Sequence, residues 1–183
     1  RIQYPAPGSP EVADRVVELL SSAGIEVRED GERGFDHGVF APLYVMYPEA
    51  DVPILQLSIR QGYDPEAHLA AGRALAPLRD EGVLIVGSGL SYHNLRDLGP
   101  RGGPASRAFD RWLTETVVEA TPERRTERLL DWEKAPSARD AHPAEDHLIP
   151  LLVAVGAAED EAAAITYHED TFFGSISASS YRF

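Results

Sequence analysis

The chemistry available to this sequence rests on its imidazoles. It holds six histidines, His37, His68, His93, His142, His147 and His168, and no cysteine. Disulfides and thiolate metal sites are therefore excluded within it, and any metal would be held by imidazole nitrogen or carboxylate oxygen. Three of the six fall where chemistry is commonly placed, in loops after strands or at helix starts. His93 follows Gly87-Ser88-Gly89 at the carboxyl end of the most strand-like run. From there it either reaches the crevice above a sheet as an acid or base, since imidazole exchanges protons near neutral pH, or hydrogen-bonds the loop backbone. Position leaves both open. His37 lies between Asp36 and Gly38, where the aspartate either orients the ring or caps a turn. His147 reads as part of the first turn of a helix, beside Glu145 and Asp146, and is either a metal ligand or a capping or surface group. His142 precedes a proline, His68 is near Glu66 on a polar helix face, and His168 abuts Glu169 and Asp170; these three read as solvated or incidental.

Such side chains need a scaffold, and the hydrophobic pattern supplies one. A helix is expected from Pro10 to Ala23, with Ser9 as N-cap and Gly24 ending it. A short strand at Ile25–Arg28 follows, then a Gly/Asp loop, then an apolar stretch from Val39 to Met46 that reads as a buried helix. Val52–Ser58 reads as a buried strand, Asp64-Pro65-Glu66 opens a crossover helix, and Val83–Val86 is a β-branched run expected in the centre of a sheet. Two helices divided at Thr121-Pro122 come next, Lys134–Pro143 reads as a loop, and Ala144–Val155 as a helix bent by Pro150 or holding it near its first turn. Ala163–Tyr167 and Ser175–Ser180 are the last strand candidates. The alternation predicts an α/β fold, one domain over residues 1–183, with a mixed, mostly parallel sheet and helices on both faces. A site is expected at the carboxyl ends of its strands.

Composition narrows the function. With 30 acidic and 17 basic residues among 183, a net charge of −13 argues against nucleic acid as a partner. No apolar run approaches the length needed to cross a bilayer, and Arg1–Pro10 is polar and Pro-rich, so no membrane partner and a cytoplasmic location are expected. HExxH, Walker, GxSxG and GxGxxG motifs are absent, which removes the commonest metalloprotease, nucleotidase, serine hydrolase and dinucleotide readings.

Seven segments, read in order, carry a resemblance. They are Tyr4-Pro5-Ala6-Pro7-Gly8, Phe35-Asp36-His37-Gly38, Met46-Tyr47-Pro48, Val52–Ser58, Gly87-Ser88-Gly89 with His93-Asn94-Leu95, His142–Leu152, and Gly174-Ser175-Ile176-Ser177. Together they resemble the DOPA 4,5-dioxygenase-type branch of the class III extradiol dioxygenases, related to the catalytic subunit of protocatechuate 4,5-dioxygenase. The resemblance implies a mononuclear non-haem Fe(II) site, or Zn(II), at which a catechol-type small molecule is opened by O₂ beside its diol. In it His147 matches a metal ligand within the pattern Pro-x-x-x-His-x-x-Pro-Leu-Leu, His93 matches the acid/base residue, and His37 matches a pocket residue that contacts substrate or bound oxygen, so the resemblance implies that the three converge in one pocket. The family's two further ligands, in a His-Gly-Ser-Pro turn and a Ser-Ala-His strand end, have no match here, and the remaining ligands are expected upstream of Arg1. A homodimer is open, through Val39–Met46 or an exposed sheet edge. Two rivals stand beside the enzyme: a non-catalytic binding or scaffold relative with a vestigial pocket, and a zinc-dependent hydrolase on the same scaffold.

Overall fold

The structure, a computed structural model, describes residues 3–183. By contacts the chain clusters into two compact units, one formed by residues up to Ser58 with Ala74–Leu84, the other by Ile59–Arg73 with Ile85–Phe183.

In the first unit, helix α1 spans Pro10–Ser22. The Ser9 hydroxyl accepts from the Val12 N–H, Pro10 opens the first turn where its missing N–H costs nothing, and Leu20 is the buried residue. The far end closes as a Schellman motif: Gly24 takes φ +74°, its N–H donates to Ser21, and the Ile25 N–H donates to Leu20 at 2.9 Å. Helix α2, His37–Met46, is capped by Asp36, whose carboxylate accepts from the Gly38 N–H at 3.0 Å and from the Gln56 amide at 2.8 Å. The expectation that this stretch is buried fails. No residue of α2 is buried, and Tyr44, Met46 and above all Val45, 80% exposed, face out. Apolar composition all round a helix reports what it could bury, not whether a neighbour covers it.

The second unit contains most of helix α3, Pro65–Leu75, whose last two residues belong to the first. The short α4, Pro77–Asp80, lies in the first unit. Helix α5, Gly103–Thr114, runs on into a π-helical turn at Glu115–Glu119, where the Thr116 hydroxyl donates back to the Trp112 carbonyl at 2.7 Å. Thr121 caps α6, Pro122–Leu130, so the division expected at Thr121-Pro122 is observed. The segment expected to be a loop, Lys134–Pro143, opens on the last residue of a 3₁₀ turn, Trp132–Lys134, and holds a short helix α7, Ala138–Ala141. Four-residue helices carry too few positions to show a period, which is why the pattern missed them.

Helix α8 spans Ile149–Ala157 with Pro150 in its first turn, five residues later than expected. It crosses α3 at two glycines: a methyl added to Gly72 would lie 2.2 Å from the Val153 carbonyl oxygen, and one added to Gly156 would lie 2.2 Å from that of Leu69. Arg73 pairs with Glu159 just beyond α8 through Nε at 2.6 Å and Nη2 at 2.7 Å.

Strands β1, Ala164–Phe172, and β2, Ile176–Arg182, form an antiparallel hairpin, matching the last two strand candidates. The hairpin lies on α5. Ser106 of α5 accepts from the Ser177 N–H at 2.6 Å, and the Ser179 hydroxyl donates to the buried Asp110 carboxylate at 2.7 Å. Burial pushes the Asp110 carboxyl above its usual range, opposed by the Ser179 hydrogen bond. Phe109, Leu113, Val117, Leu129, Trp132, Leu148, Ile149, Leu152, Val155 and Ile176 form one continuous core.

The fold is thus mixed helix and strand. The β1–β2 pair is the one ladder among the described residues. Ile25–Arg28, Val52–Ser58 and Val83–Val86 belong to neither helix nor ladder, although an isolated bond such as Ile54 N–H to the Pro7 carbonyl, 2.8 Å, remains. Their apolar side chains are correspondingly open: Leu55, Leu57 and Val86 are exposed, and Leu84 is 72% exposed.

Candidate active site

Two segments of the second unit build the site: the loop Gly87–His93 and the turn Glu145–Leu148. The turn closes on the Glu145 carbonyl, which accepts the N–H groups of Leu148 at 2.8 Å and Ile149 at 3.0 Å. His147 is therefore held in the turn just before α8, not in the helix itself as expected. Pro150 follows in the first helical turn, where the missing N–H would have had no intrahelical acceptor. Arg139 braces the turn through Glu145 at 2.7 Å, with its guanidinium over the Trp132 ring.

The loop is laid directly on this turn. A methyl on Gly89 would meet the His147 carbonyl oxygen at 2.1 Å, and one on Gly87 would meet that of Pro150 at 2.5 Å. The two glycines therefore serve close backbone approach rather than only the sharp bend they suggest in sequence. The Leu90 N–H donates to the His147 carbonyl at 3.1 Å, the His93 N–H to Ala141 at 2.9 Å, and the Asn94 amide to Asp140 at 2.8 Å.

This arrangement brings His93 and His147 together. Their rings stack with centroids 3.6 Å apart and 22° between planes. Asp146 lies beside both, with one carboxylate oxygen 4.0 Å from His93 Nδ1 and the other 3.8 Å from His147 Nε2. All three are half-buried, and one donor atom from each can be chosen so that all lie within 4.8 Å of one another. Two imidazoles and a carboxylate suit iron or zinc by donor type, with no soft ligand to favour copper(I). Asp146 was visible in the sequence only as a neighbour of His147; nothing in its spacing marked it as part of the cluster.

His37 opens α2 in the first unit. The Asp36 carboxylate caps the turn there, accepting from the Gly38 N–H.

Two histidines read as incidental are not. His68 is buried, with Nδ1 2.7 Å from the Asp64 carbonyl and Nε2 accepting from the Arg60 N–H at 3.0 Å. A carbonyl only accepts, so the proton is on Nδ1. His142 is wholly buried against the edges of Phe109 and Trp132, with Nε2 3.1 Å from the Ser91 carbonyl. Burial pushes its imidazole down to about 4, so it is neutral. A histidine before a proline in a polar loop carries no sign of this; the burial comes from Phe109 of α5, 33 residues earlier, and from the Trp132 turn. His168 is exposed as expected, beside Asp110 at 3.5 Å and Asp170 at 3.1 Å.

The profile of the catalytic LigB subunit of aromatic ring-opening dioxygenase matches residues 1–183. The chain belongs to this family. It is 42% identical over 188 residues to a 4,5-DOPA dioxygenase extradiol of Beta vulgaris, covering all of this chain and 69% of that protein. A protein of the same name from Portulaca grandiflora is 40% identical over 190 residues, covering all of this chain and 68% of the relative. The crystal structure of an uncharacterized protein from Escherichia coli K12 superposes with a TM-score of 0.83 at 34% identity, covering 98% of this LigB-family chain and 75% of that one. The resemblance drawn from the seven segments is borne out, and with it an extradiol, ring-opening dioxygenase as the enzyme class. Enzymes of this family depend on a metal, and the His93–Asp146–His147 cluster is a place in this chain that could hold one. No helix among the described residues is long and apolar enough to cross a membrane.

Proposed function

We propose that the protein opens the ring of a catechol-type substrate beside its diol, with His147 and Asp146 as donors to the metal and His93 as the acid/base group. The observation that carries the assignment is the stacked His93–His147 pair with Asp146 against both rings, in a chain of this family. Bound Fe(II) would supply the one-electron chemistry that lets O₂ react with an aromatic diol, and the same donors would accept Zn(II).

The protein's part is placement and proton handling. His147 and Asp146 are neighbours on a turn fixed by the Glu145 carbonyl, so both donors come from one rigid piece of backbone. His93, anchored through its own N–H to Ala141, has its Nδ1 on the Asp146 side, and Nε2 is the atom assigned to take the catechol hydroxyl proton and return one later. His37 is assigned to substrate contact on the strength of the motif Phe35-Asp36-His37-Gly38. The same reading takes Val52–Ser58 and Val83–Val86 as strands of a mostly parallel sheet with helices on both faces; the support is their composition and the apolar side chains they leave exposed.

The test is oxygen uptake by full-length protein loaded anaerobically with Fe(II), across a series of catechols. Uptake with a visible-absorbing ring-opened product is expected, falling roughly a hundredfold or more in His93→Gln, the scale of lost general acid–base catalysis. No uptake with any catechol would overturn the proposal.

A further inference from the structure

Ser91 stands two residues before His93 and is held from two sides. Its hydroxyl accepts from the Ser179 N–H of β2 at 3.1 Å, and its carbonyl accepts from His142 Nε2 at 3.1 Å. With the proton on Nε2, His142 Nδ1 presents a bare lone pair, and that atom is buried with no hydrogen-bond partner. An unpaired nitrogen in a core is unfavourable, and a phenylalanine packed against Phe109 and Trp132 would avoid it. What such a phenylalanine would lose is the bond to the Ser91 carbonyl. That bond and the adjacent one, His93 N–H to the Ala141 carbonyl at 2.9 Å, join the segment ending at His93 to the segment leading to His147.

We propose that His142 is a positioning residue for the ring-opening reaction, setting through the Ser91 carbonyl the place from which His93 faces His147 and the substrate. The inference rests on the assignment of His93 to proton transfer. His142 touches neither metal nor substrate in this reading; it acts on the backbone that carries the base.

Three variants of the full-length protein separate this from a packing role. His142→Phe keeps a ring and loses the donor, His142→Gln places an amide N–H near the position of Nε2, and His142→Asn ends short of it. In the iron-loaded enzyme kcat should fall about 10- to 100-fold in the Phe and Asn variants, the cost of misplacing a reacting group by about 1 Å, with KM little changed. Gln should recover most of the loss. In metal-free protein the His93 ring resonances, read by long-range ¹H–¹⁵N NMR, should move in Phe and Asn and stay in place in Gln. Wild-type kcat and unmoved His93 resonances in Phe and Asn overturn the proposal, as does a Gln variant no better than Phe. Should His142→Phe not fold, the Gln–Asn pair decides alone. His93→Gln run in parallel keeps the two readings apart: full activity there removes His93 as the base, while the resonances still report whether His142 holds the segment.

Discussion

The two compact units bury their apolar residues to very different degrees. In the second, Phe109, Leu129, Ile149, Leu152 and Val155 are wholly enclosed, and the hairpin's polar groups are matched by Ser106 and Asp110 of α5. In the first, Leu55, Leu57, Tyr44 and Val45 are exposed although their sequence is that of buried elements. A run such as Val52–Ser58 is written for contact on both faces, and here it lacks it. The difference teaches where structure is self-sufficient. The unit that closes its own core also holds the His93–Asp146–His147 cluster, and backbone bonds within that unit fix it: the turn closed on the Glu145 carbonyl and the His93 N–H to Ala141.

The sharpest way to break this view is at the cluster itself. His147→Ala should reduce metal affinity roughly a hundredfold or more, since changes outside the ligand shell alone cost ~10–100-fold. Chelator competition measures it, and unchanged affinity would remove His147 from the ligand set. Next in size is the backbone contact: Gly89→Ala drives a methyl into the His147 carbonyl and should cost about 3 kcal/mol, at the upper end of overpacking. Gly8→Ala, whose methyl meets nothing within 4 Å, should stay within about 0.5 kcal/mol in the same urea titration. Equal losses would show that the close approach does not matter.

A third prediction concerns pH. His142 is neutral in the folded protein down to about 4, against 6.5 when free, so between those values the unfolded chain binds the extra proton. Stability is therefore full above about 6.5 and falls as pH drops toward 4, by about 2 kcal/mol between pH 7.5 and 5 at ~1.4 kcal/mol per pH unit. His142→Gln should flatten that part of the profile; an unchanged slope would assign it to other groups. The smallest effect belongs to the first unit. Leu55→Lys with Leu57→Lys should lower binding of a hydrophobic dye by the 183-residue chain while moving stability by less than about 0.5 kcal/mol. A large loss of stability would mean that these side chains are packed after all.

Local chemistry was legible in the sequence, and distant packing was not. Ser9, Pro10 and Gly24 announce both ends of α1 because caps act within a few residues. Thr121-Pro122 announces α6 for the same reason. Ala163–Tyr167 and Ser175–Ser180 were legible as strand candidates, and Gly174, at φ +90°, lies in the turn between β1 and β2. What could not be read depends mostly on packing between elements: the burial of His142 against Phe109 of α5, and the outward face of α2. His68 is a local exception, held by the Asp64 carbonyl and the Arg60 N–H only four and eight residues before it. His93 and His147 were legible as a pair only through the resemblance. Their stacking and the inclusion of Asp146 depend on the close approach at Gly87 and Gly89, which two glycines five and three residues before Tyr92 do not disclose.

The close lay of Gly87 and Gly89 against the carbonyls of Pro150 and His147 has a practical meaning for redesign. His93 and His147 ride on two backbone segments laid directly on each other, so an attempt to move either would disturb the other. Retuning this protein for a different acid–base demand would therefore have to change what stands at position 93 chemically, because its address is already taken up by the neighbour it leans on.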